Sequence, residues 1–594
     1  MDLVLVAIHL EPSPRAVPLG PAMLASALKR AFQPPPVIRI VDCFLEQTPE
    51  ACATRILESK PRFVGFSMYV WNRTLALAIA RELKRRCPGI LTFAGGSEAT
   101  ADLAGVLAEP ALDLVLPGEG EELIVAAMHG LLAGVPPGEL QASLRPGPIL
   151  DLATLPSPFL DGTLDPRAYS GQLWELSRGC PFTCDFCFES RGGSGTRRVP
   201  MARVEAELKL FEACQVSQVF VLDPTFNYNK KQAKEVLRLI ARTAPGIHFF
   251  FEIRSEFLDR ELAGLFASLK CTLQIGLQSA RGEVLRNIGR TLDPVDFERK
   301  ILLLHEAGAT YGFDLIYGLP GDSLAGFKTS LDFALGLMPN HLDIFRLSVL
   351  PGTRLRETAA GFGLVHQPDN PYQVLASPTF CGPDLDQAER LAQACDGFYN
   401  QGKAVPWFAI LLAGLGISAS ECMARFADHR EAHPDPDITA LQRSFVTACF
   451  RQDPNPALAT IAADIVTYFG VSGALVEAAS RQTPVATAPD RLRLNPQSAF
   501  AAFTHDPKAL LDNLFSGITE LEDLTFMVPV QPCEAILHVR QGETSLRVVT
   551  RPQAEALRRL GAGADPQAED AATLQFLHSL IPEGLVLGPA DAGN

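Results

Sequence analysis

The sequence predicts an α/β protein with three structural regions. Over residues 1–145, short apolar strands alternate with helical segments, which indicates a doubly wound, Rossmann-like parallel sheet. Sequence rich in Pro and Gly predicts a linker at 146–165. The alternation of strands and helices then restarts, so a partial (β/α) barrel is expected over 166–380. Residues 381–594 show a less regular, mainly helical pattern.

Each region is built from identifiable segments. In the first region, strands are predicted at 2–8, 37–42, 62–68 and 90–96, with a strand, a turn and a helix start at 112–122. In the second, they are predicted at 172–177, 217–222, 247–253, 272–277, 312–317 and 342–349. The third region includes a candidate hairpin at 534–550.

Composition and charge limit the function classes. The chain has 594 residues, 47% of them hydrophobic and 20% charged, which is ordinary for globular proteins. A net charge of −15 argues against general nucleic-acid binding, which needs a basic surface. The first residues lack the basic segment of a signal peptide, and no run of 18 apolar residues is found. The apolar stretch 404–419 contains Pro406 and is expected to be a buried helix. We therefore expect a cytoplasmic protein without membrane or nucleic-acid partners.

Three of the 13 cysteines form a compact motif. Cys180, Cys184 and Cys187 have the spacing CxxxCxxC in the loop after the first predicted barrel strand. Three thiolates on one tight loop can hold three irons of a [4Fe–4S] cluster and leave the fourth open to an external ligand. Zinc is the alternative, but structural zinc sites usually have four protein ligands, and no fourth ligand follows at zinc-finger spacing.

The motif and its position in the predicted barrel resemble the radical S-adenosylmethionine superfamily. In that family the open iron chelates the amino and carboxylate groups of S-adenosylmethionine. The resemblance covers about residues 165–350. It implies that polar residues at the following strand ends bind the adenosyl, ribose and methionyl parts of S-adenosylmethionine, although loop capping is the alternative for each. Many relatives have Glu where Gln278 stands. The matching positions are Asp223, Asn227, Glu252, Arg254, Gln278 and Ser279.

The first 145 residues resemble the cobalamin-binding domain that precedes many radical S-adenosylmethionine enzymes. The resemblance is carried by PLGPAMLASAL at 18–28, GFSMYVWNR at 65–73, AGGSEAT at 94–100 and LPGEGEE at 116–122. Glycines after strands allow close approach of the backbone to a nucleotide tail. The implied cofactor-binding residues are Ser67, Tyr69, Trp71, Asn72, Arg73, Gly95, Gly96, Gly118, Glu119 and Gly120.

The cobalt ligand of related domains is absent from the expected position. Methionine-synthase-type domains carry DxHxxG, whereas this chain has HLEPSPRAVPLG there, and His9 is not in that motif. The resemblance thus implies base-off cobalamin without a His ligand, with the segment from Tyr69 to Arg73 beneath the corrin. Arg73 there would disfavour a lower ligand. The alternative is a vestigial Rossmann-like module. NAD binding is not expected, because the NAD motif GxGxxG is absent.

Cobalamin and S-adenosylmethionine together imply a methyltransferase acting on a carbon of a small molecule. The layout resembles tryptophan 2-C-methyltransferases of thiopeptide biosynthesis, and polar and radical transfer both remain open. An external electron donor of the flavodoxin or ferredoxin type is expected. Candidate bases at the barrel mouth are Tyr311, Asp314 and Tyr317, although alternation along one strand prevents all three from facing the substrate. The alternatives are a non-methylating cobalamin-dependent radical enzyme and a cobalamin or iron–sulfur sensor.

Overall fold

The computed structural model describes residues 2–145, 149–189, 195–481, 492–540 and 542–588. The backbone forms two compact units. The first comprises residues 1–330 and 343–388, and the second comprises residues 331–342 and 389–594.

The N-terminal part of the first unit is a five-stranded parallel sheet. Its strands are β1 (Asp2–His9), β2 (Val37–Phe44), β3 (Phe63–Ser67), β4 (Leu91–Gly95) and β5 (Leu114–Leu116). They are ordered β2-β1-β3-β4-β5, with the order reversing beside β1. Because helices cover both faces of this sheet, β1 is apolar along its length: Val4 and Val6 face one core, and Leu3 and Leu5 face the other. The predicted Rossmann-like fold is confirmed.

The second part of this unit is a partial barrel. Its strands are β6 (Gln172–Trp174), β7 (Gln218–Val221), β8 (His248–Ile253), β9 (Cys271–Gln278), β10 (Thr310–Tyr317) and β11 (His341–Arg346). They lie in sequential order in one six-stranded sheet, as successive βα units require. All six predicted barrel strands are found in this sheet.

Helices connect the strands of both sheets. Several begin at side chains that cap their first turn: Asn229 Oδ1 accepts from the Gln232 amide at 3.1 Å, and Asp259 Oδ1 accepts from the Leu262 amide at 2.9 Å. The helices of the N-terminal sheet are Leu19–Ala31, Pro49–Leu57, Arg73–Arg86, Ser97–Ala101, Leu103–Leu107, Gly120–Leu132 and Pro137–Ser143. Those of the barrel are Met201–Ala213, Lys230–Thr243, Arg260–Ala267, Gly282–Arg286, Pro294–Ala307 and Leu324–Gly336, and Arg354–Thr358 follows β11.

The second unit is mainly helical, as predicted. Its predicted hairpin is present as the antiparallel strands Val530–Arg540 and Glu543–Val549, and Ser498–His505 adds a third strand that the sequence analysis missed. The C-terminal helices, from the end of the first unit onward, are Gly382–Cys395, Phe408–Leu415, Ala419–Ala432, Ile438–Cys449, Ala457–Arg481, Pro507–Phe515, Leu521–Met527, Arg551–Gly561 and Ala571–Ser579.

Two apolar helical segments of this unit were compared with membrane spans. The segment 404–419 forms only the short helix Phe408–Leu415, which ends at Gly416 in the left-handed conformation. By length and composition alone, the helix segment Ala457–Ala479 could cross a membrane. It packs against the helix Ile438–Cys449 and the strands Ser498–His505 and Val530–Arg540, which is how a core helix of a globular unit packs.

Candidate active site at the carboxyl ends of the two sheets

One cavity of about 1490 Å³ lies in the first unit, where the carboxyl ends of both parallel sheets face each other. Such ends are where ligands bind in open α/β sheets and in barrels. The N-terminal sheet contributes Ser67 and Gly95, and the barrel contributes the three grouped cysteines and the ends of several strands. The two predicted cofactor regions therefore open into the same space.

The cysteine loop follows β6 directly, as predicted. Cys180, Cys184 and Cys187 all line the cavity and are partly buried. Gly179 has φ of +91°, and a Cβ there would lie 2.7 Å from the Gly195 carbonyl oxygen, so the turn before Cys180 requires glycine. Burial raises the pKa of the Cys187 thiol to about 11. A bound cation would reverse this effect by stabilising the thiolate.

Asp223 fixes the start of this loop rather than lining the cavity. Its carboxylate accepts hydrogen bonds from the Leu176 amide at 3.0 Å, the Ser177 amide at 2.8 Å and the Ser177 hydroxyl at 2.6 Å. Burial raises the Asp223 pKa to about 6, although the bonds from Ser177 oppose that shift. The predicted cofactor ligand thus has a loop-anchoring geometry, the alternative considered from the sequence.

Asn227 and Arg254 act as a pair. The Asn227 side chain accepts from the Arg254 amide at 3.0 Å and donates to the Arg254 carbonyl at 2.8 Å. Arg254 lines the cavity, lies 3.8 Å over the Phe182 ring and binds Glu256 at 2.6 Å. Asn227 therefore holds the backbone of Arg254, whose guanidinium lies on the cysteine loop.

Carboxylates of two barrel strands face the lumen. Glu252 on β8 and Asp314 on β10 line the cavity, and Gln274 on β9 donates to Asp314 at 2.5 Å and to Asp343 at 3.1 Å. Burial, with the neighbouring charge of Asp314 second, raises the Glu252 pKa to about 7. Glu252 is thereby poised to exchange a proton near neutral pH.

Two of the three candidate bases face away from the cavity, which corrects the expectation for them. Tyr311 and Tyr317 alternate with Asp314 on β10, and both are buried on the helix-facing side of the strand. The Tyr311 ring packs beside Phe313, and the Tyr317 ring packs beside Phe327. Only Asp314 of this set reaches the cavity.

At the end of β9, the side chains of the consecutive residues Gln278 and Ser279 have different surroundings. Gln278 lies at a register shift with φ of +67°, lines the cavity, and has a buried Oε1 without a hydrogen-bond partner in the described chain. A bulge of this kind redirects a side chain. Ser279 instead lies near the Ser330 hydroxyl, 3.2 Å away, and accepts from the Arg281 amide at 3.1 Å, so it stabilises the loop.

On the cobalamin side, aromatic residues and glycines line the cavity. Tyr69 and Trp71 stack with ring centroids 4.6 Å apart, and both border the cavity together with Ser67. Gly96 has φ of +109°, and a Cβ there would lie 2.6 Å from the Met68 carbonyl oxygen. Gly95 and Gly96 therefore form a turn that only glycine permits at its second position.

Asn72 and Arg73 have structural contacts instead of facing the cavity, a second correction. Asn72 is fully buried and donates to the Ile8 and Ser67 carbonyls at 3.2 and 3.0 Å. Arg73 pairs with Glu98 at 2.8 Å and Asp102 at 2.7 Å. Its charge is paired there, so this geometry gives no support to the expectation that Arg73 lies beneath the corrin and disfavours a lower ligand.

The turn from Gly118 to Gly120 borders the cavity and carries a network of ion pairs. Glu119 binds Arg197, and Arg178 lies 3.7 Å from it. Arg178 also binds Glu121 at 2.8 Å and Glu175 at 2.9 Å. Glu119 thus joins the two sheets beside the cysteine loop.

Several cavity residues were missed by the sequence analysis. Arg290 lines the cavity, donates to the Gly276 carbonyl at 2.7 Å, and has a buried Nε without a partner among the described atoms. Gln274 could have been found from its alternation with Leu273 and Ile275 on β9. Other charged residues of the lining that were missed include Arg15, Glu175, Arg178, Glu189 and Arg197.

Comparison with known proteins accounts for both halves of the cavity. Residues 7–128 match the family model of the B12 binding domain, and residues 174–334 match that of the Radical SAM superfamily. The chain contains a B12-binding domain and a radical SAM domain. Such domains imply cobalamin, a [4Fe–4S] cluster and S-adenosylmethionine as cofactors.

Individual relatives agree with this assignment. The chain is 28% identical over 398 residues to 2-(S-pantetheinyl)-carbapenam-3-carboxylate methyltransferase of Streptantibioticus cattleyicolor, covering 60% of this chain and 58% of that protein. It thus spans little more than half the length of that relative. The cobalamin-dependent S-adenosylmethionine radical enzyme OxsB has the same fold, with a TM-score of 0.54, 14% identity and coverage of 81% and 79%. The methyltransferase TsrM of Kitasatospora setae, solved with tryptophan substrate, gives a TM-score of 0.51, 18% identity and coverage of 63% and 80%.

The residues present fit these cofactors. The radical SAM domain places three thiols on one loop bordering the cavity, and thiolates are the ligand type of a [4Fe–4S] cluster, although the described residues form no ready-made group of three metal ligands. Gln278 and Arg290 border the same cavity, and the buried Gln278 Oε1 and Arg290 Nε have no hydrogen-bond partner among the described residues. In the B12-binding domain, Gly95 and Gly96 border the cavity with backbone that carries no side chain, which would allow close approach of a nucleotide tail.

Proposed function

We propose that this protein is a cobalamin-dependent methyltransferase that moves a methyl group from S-adenosylmethionine to a carbon of a small molecule. The observation that carries the proposal is the single cavity bordered by both the cysteine loop and the Gly95–Gly96 turn. Bound cobalamin supplies a cobalt centre that carries a methyl group, and the reduced cluster supplies an electron for cleaving S-adenosylmethionine. A shared cavity allows both cofactors to act on one substrate.

Different residues of the chain would bind and orient the different cofactors. Cys180, Cys184 and Cys187 would hold the cluster, and Gln278 and Arg290 would orient S-adenosylmethionine beside it. Arg290 donates to the Gly276 carbonyl, which fixes its guanidinium against β9. The stacked Tyr69 and Trp71 would exclude water from one corrin face.

Glu252 and Asp314 are the proposed proton-handling groups. Both face the lumen of the barrel, and burial raises the Glu252 pKa to about 7. In polar methylation, replacing a hydrogen on carbon by methyl releases a proton, so a carboxylate that titrates near neutral pH suits that route. Transfer to an aromatic carbon, as at tryptophan C2, would use Glu252 as the acceptor of that proton.

The proposal extends to partners and location. The relative from Streptantibioticus cattleyicolor is named as a methyltransferase, and TsrM was solved with a tryptophan substrate; both support methyl transfer to a small molecule. We propose a flavodoxin- or ferredoxin-type electron donor and a cytoplasmic location. The proposed limits are 1–145 for the cobalamin domain, 146–165 for the linker, 166–380 for the barrel and 381–594 for a substrate-binding region.

Product analysis tests the function. The protein would be purified without oxygen with cluster and cobalamin, and given S-adenosylmethionine, reductant and tryptophan. S-adenosylhomocysteine with methyltryptophan, and no 5′-deoxyadenosine, would establish polar methylation of that substrate. S-adenosylhomocysteine together with 5′-deoxyadenosine would indicate radical methylation. Formation of 5′-deoxyadenosine alone would contradict a methyltransferase, and Cys184→Ala serves as the inactive control for all three outcomes.

A further inference from the structure

The loop after β1 leaves the B12-binding domain and reaches the barrel. Backbone hydrogen bonds hold it in a fixed shape, from the Ala16 amide to the Ser13 carbonyl at 2.9 Å and from the Val17 amide to the Arg15 carbonyl at 2.8 Å. A Cβ on Gly171, just before β6, would lie 2.5 Å from the Pro14 carbonyl oxygen. The backbones of the two domains thus touch here, and the loop tip has a defined position.

Arg15 lies at that tip and covers an aromatic pair of the barrel lumen. Phe220 on β7 and Phe250 on β8 stack with centroids 4.3 Å apart. The Arg15 guanidinium carbon lies 4.6 Å from the Phe220 centroid and 5.9 Å from the Phe250 centroid. A guanidinium held against a ring by its face keeps the N–H donors of its edge available for an oxyanion.

Arg15 differs from the other arginines of the cavity in its partners. Arg178 and Arg197 bind glutamates of the inter-domain network, and Arg254 binds Glu256. Arg290 lies beside the cysteine loop and is bonded to the Gly276 carbonyl.

For Arg15, no carboxylate in the described part of the chain lies within ion-pair distance. Its charge opposes the burial that raises the Glu252 pKa to about 7, but the two side chains do not pair. The border of the cavity therefore carries a solvent-exposed cation that lies over an aromatic ring and has no carboxylate partner among the described residues.

We propose that Arg15 binds an oxyanion of the substrate, so that the substrate class is a carboxylic acid. This inference rests on the proposed function, since it assumes that the cavity beside Glu252 receives the substrate. A planar guanidinium suits a carboxylate because two parallel N–H donors match its two oxygens. The phosphate of the cobalamin nucleotide tail has the same chemistry and is the other possible source of the anion.

The test compares two probes of nearly the same shape, of which one carries a carboxylate and the other a neutral carboxamide. Holoenzyme with cluster, cobalamin and saturating S-adenosylmethionine is titrated calorimetrically with indole-3-propionate and with indole-3-propionamide. We expect the acid to bind at least about tenfold more tightly than the amide, about 1.4 kcal/mol. R15Q should bring this ratio close to one and R15K should retain part of it. R299Q removes an exposed arginine outside the cavity and should leave the ratio unchanged.

Each other result overturns the inference. Equal binding of the two probes, or binding of neither, would show that the cavity does not select a carboxylate. Retention of the preference in R15Q would place the anion site elsewhere. Weaker cobalamin binding in R15Q with an unchanged probe ratio would assign Arg15 to the nucleotide-tail phosphate. If the acid still binds more tightly than the amide but the protein makes no S-adenosylhomocysteine, the proposed function is refuted and the inference about Arg15 is not.

Discussion

The Asp223 carboxylate accepts two hydrogen bonds from Ser177, at 2.8 Å from its amide and 2.6 Å from its hydroxyl. Ser177 begins the short ladder in which Ser177–Arg178 pairs with Arg197–Arg198, on either side of the cysteine loop. One buried carboxylate that lies outside the cavity thus anchors the start of the loop that carries the three proposed cluster ligands.

This carboxylate makes stability depend on pH. Burial raises its folded-state pKa from 3.8 to about 6, so the native state binds the proton more tightly than the unfolded chain. The resulting stabilisation is full below about pH 3.8 and is lost as pH rises through about 6. Cluster-free Asp223→Asn should lack this loss, which amounts to at most about 3 kcal/mol. Urea unfolding of both proteins from pH 4 to 7 measures it, and parallel curves would contradict the assignment.

Removal of a cluster thiol should impair binding of the iron–sulfur cluster and leave cobalamin binding intact. Cys184→Ala leaves two thiolates on the loop, too few to hold a [4Fe–4S] cluster securely, so iron content and S-adenosylmethionine cleavage should fall at least about tenfold. Cobalamin binding should persist, because the Gly95–Gly96 turn is unaltered. Iron analysis and the visible absorbance of cobalamin check both expectations. Cys214→Ala, which lies outside the cavity, is the matched control.

The glycine turn of the B12-binding domain should tolerate no side chain. Gly96→Ala places a Cβ 2.6 Å from the Met68 carbonyl oxygen at φ of +109°. We expect a cost of roughly 1–3 kcal/mol and weaker cobalamin binding. Gly89→Ala is the control, because a Cβ there meets nothing within 4 Å. Equal cobalamin affinity in the two variants would show that the turn is not part of the cofactor site.

One tyrosine links the barrel side of the unit to the B12-binding domain. The Tyr372 hydroxyl bonds to buried Glu98 and lies 2.9 Å from the Arg73 guanidinium. Tyr372→Phe leaves Glu98 with one donor fewer, so the free energy of unfolding should fall by about 1–2 kcal/mol. Chemical denaturation measures this change. Tyr228→Phe, at a partly exposed ring, should be nearly neutral, and an equal loss in both variants would exclude a special role for Tyr372.

The sequence predicted features that depend on local spacing. The cysteine motif and the glycine turns are set by a few consecutive residues, and the strands are set by apolar runs. The faces of the barrel strands were harder, since a strand buried on both sides lacks a clear alternation of polar and apolar residues. That is why Tyr311 and Tyr317 were grouped with Asp314. Arg15 was out of reach because its role depends on contact with Phe220, some two hundred residues away.

Local context also misled the interpretation of the segment after β3. Asn72 and Arg73 stand in a motif that resembles a cofactor-binding loop, yet their side chains point to the Ser67 carbonyl and to Glu98. Burial of a polar side chain is stable only when its hydrogen bonds are met, and the partners lie on segments distant in sequence. Tertiary packing therefore decided which residues of the motif face the cavity.

The ion-pair network around Glu119 has a consequence for the ancestry of the protein. Glu119 and Glu121 come from the B12-binding domain, whereas Glu175, Arg178 and Arg197 come from the barrel. Recombination that exchanged one domain for that of a distant homologue would leave partly buried charges without their ion-pair partners beside the cysteine loop. A chimaera of the two domains is therefore expected to be more stable when both halves of the network are transplanted together than when only one half is.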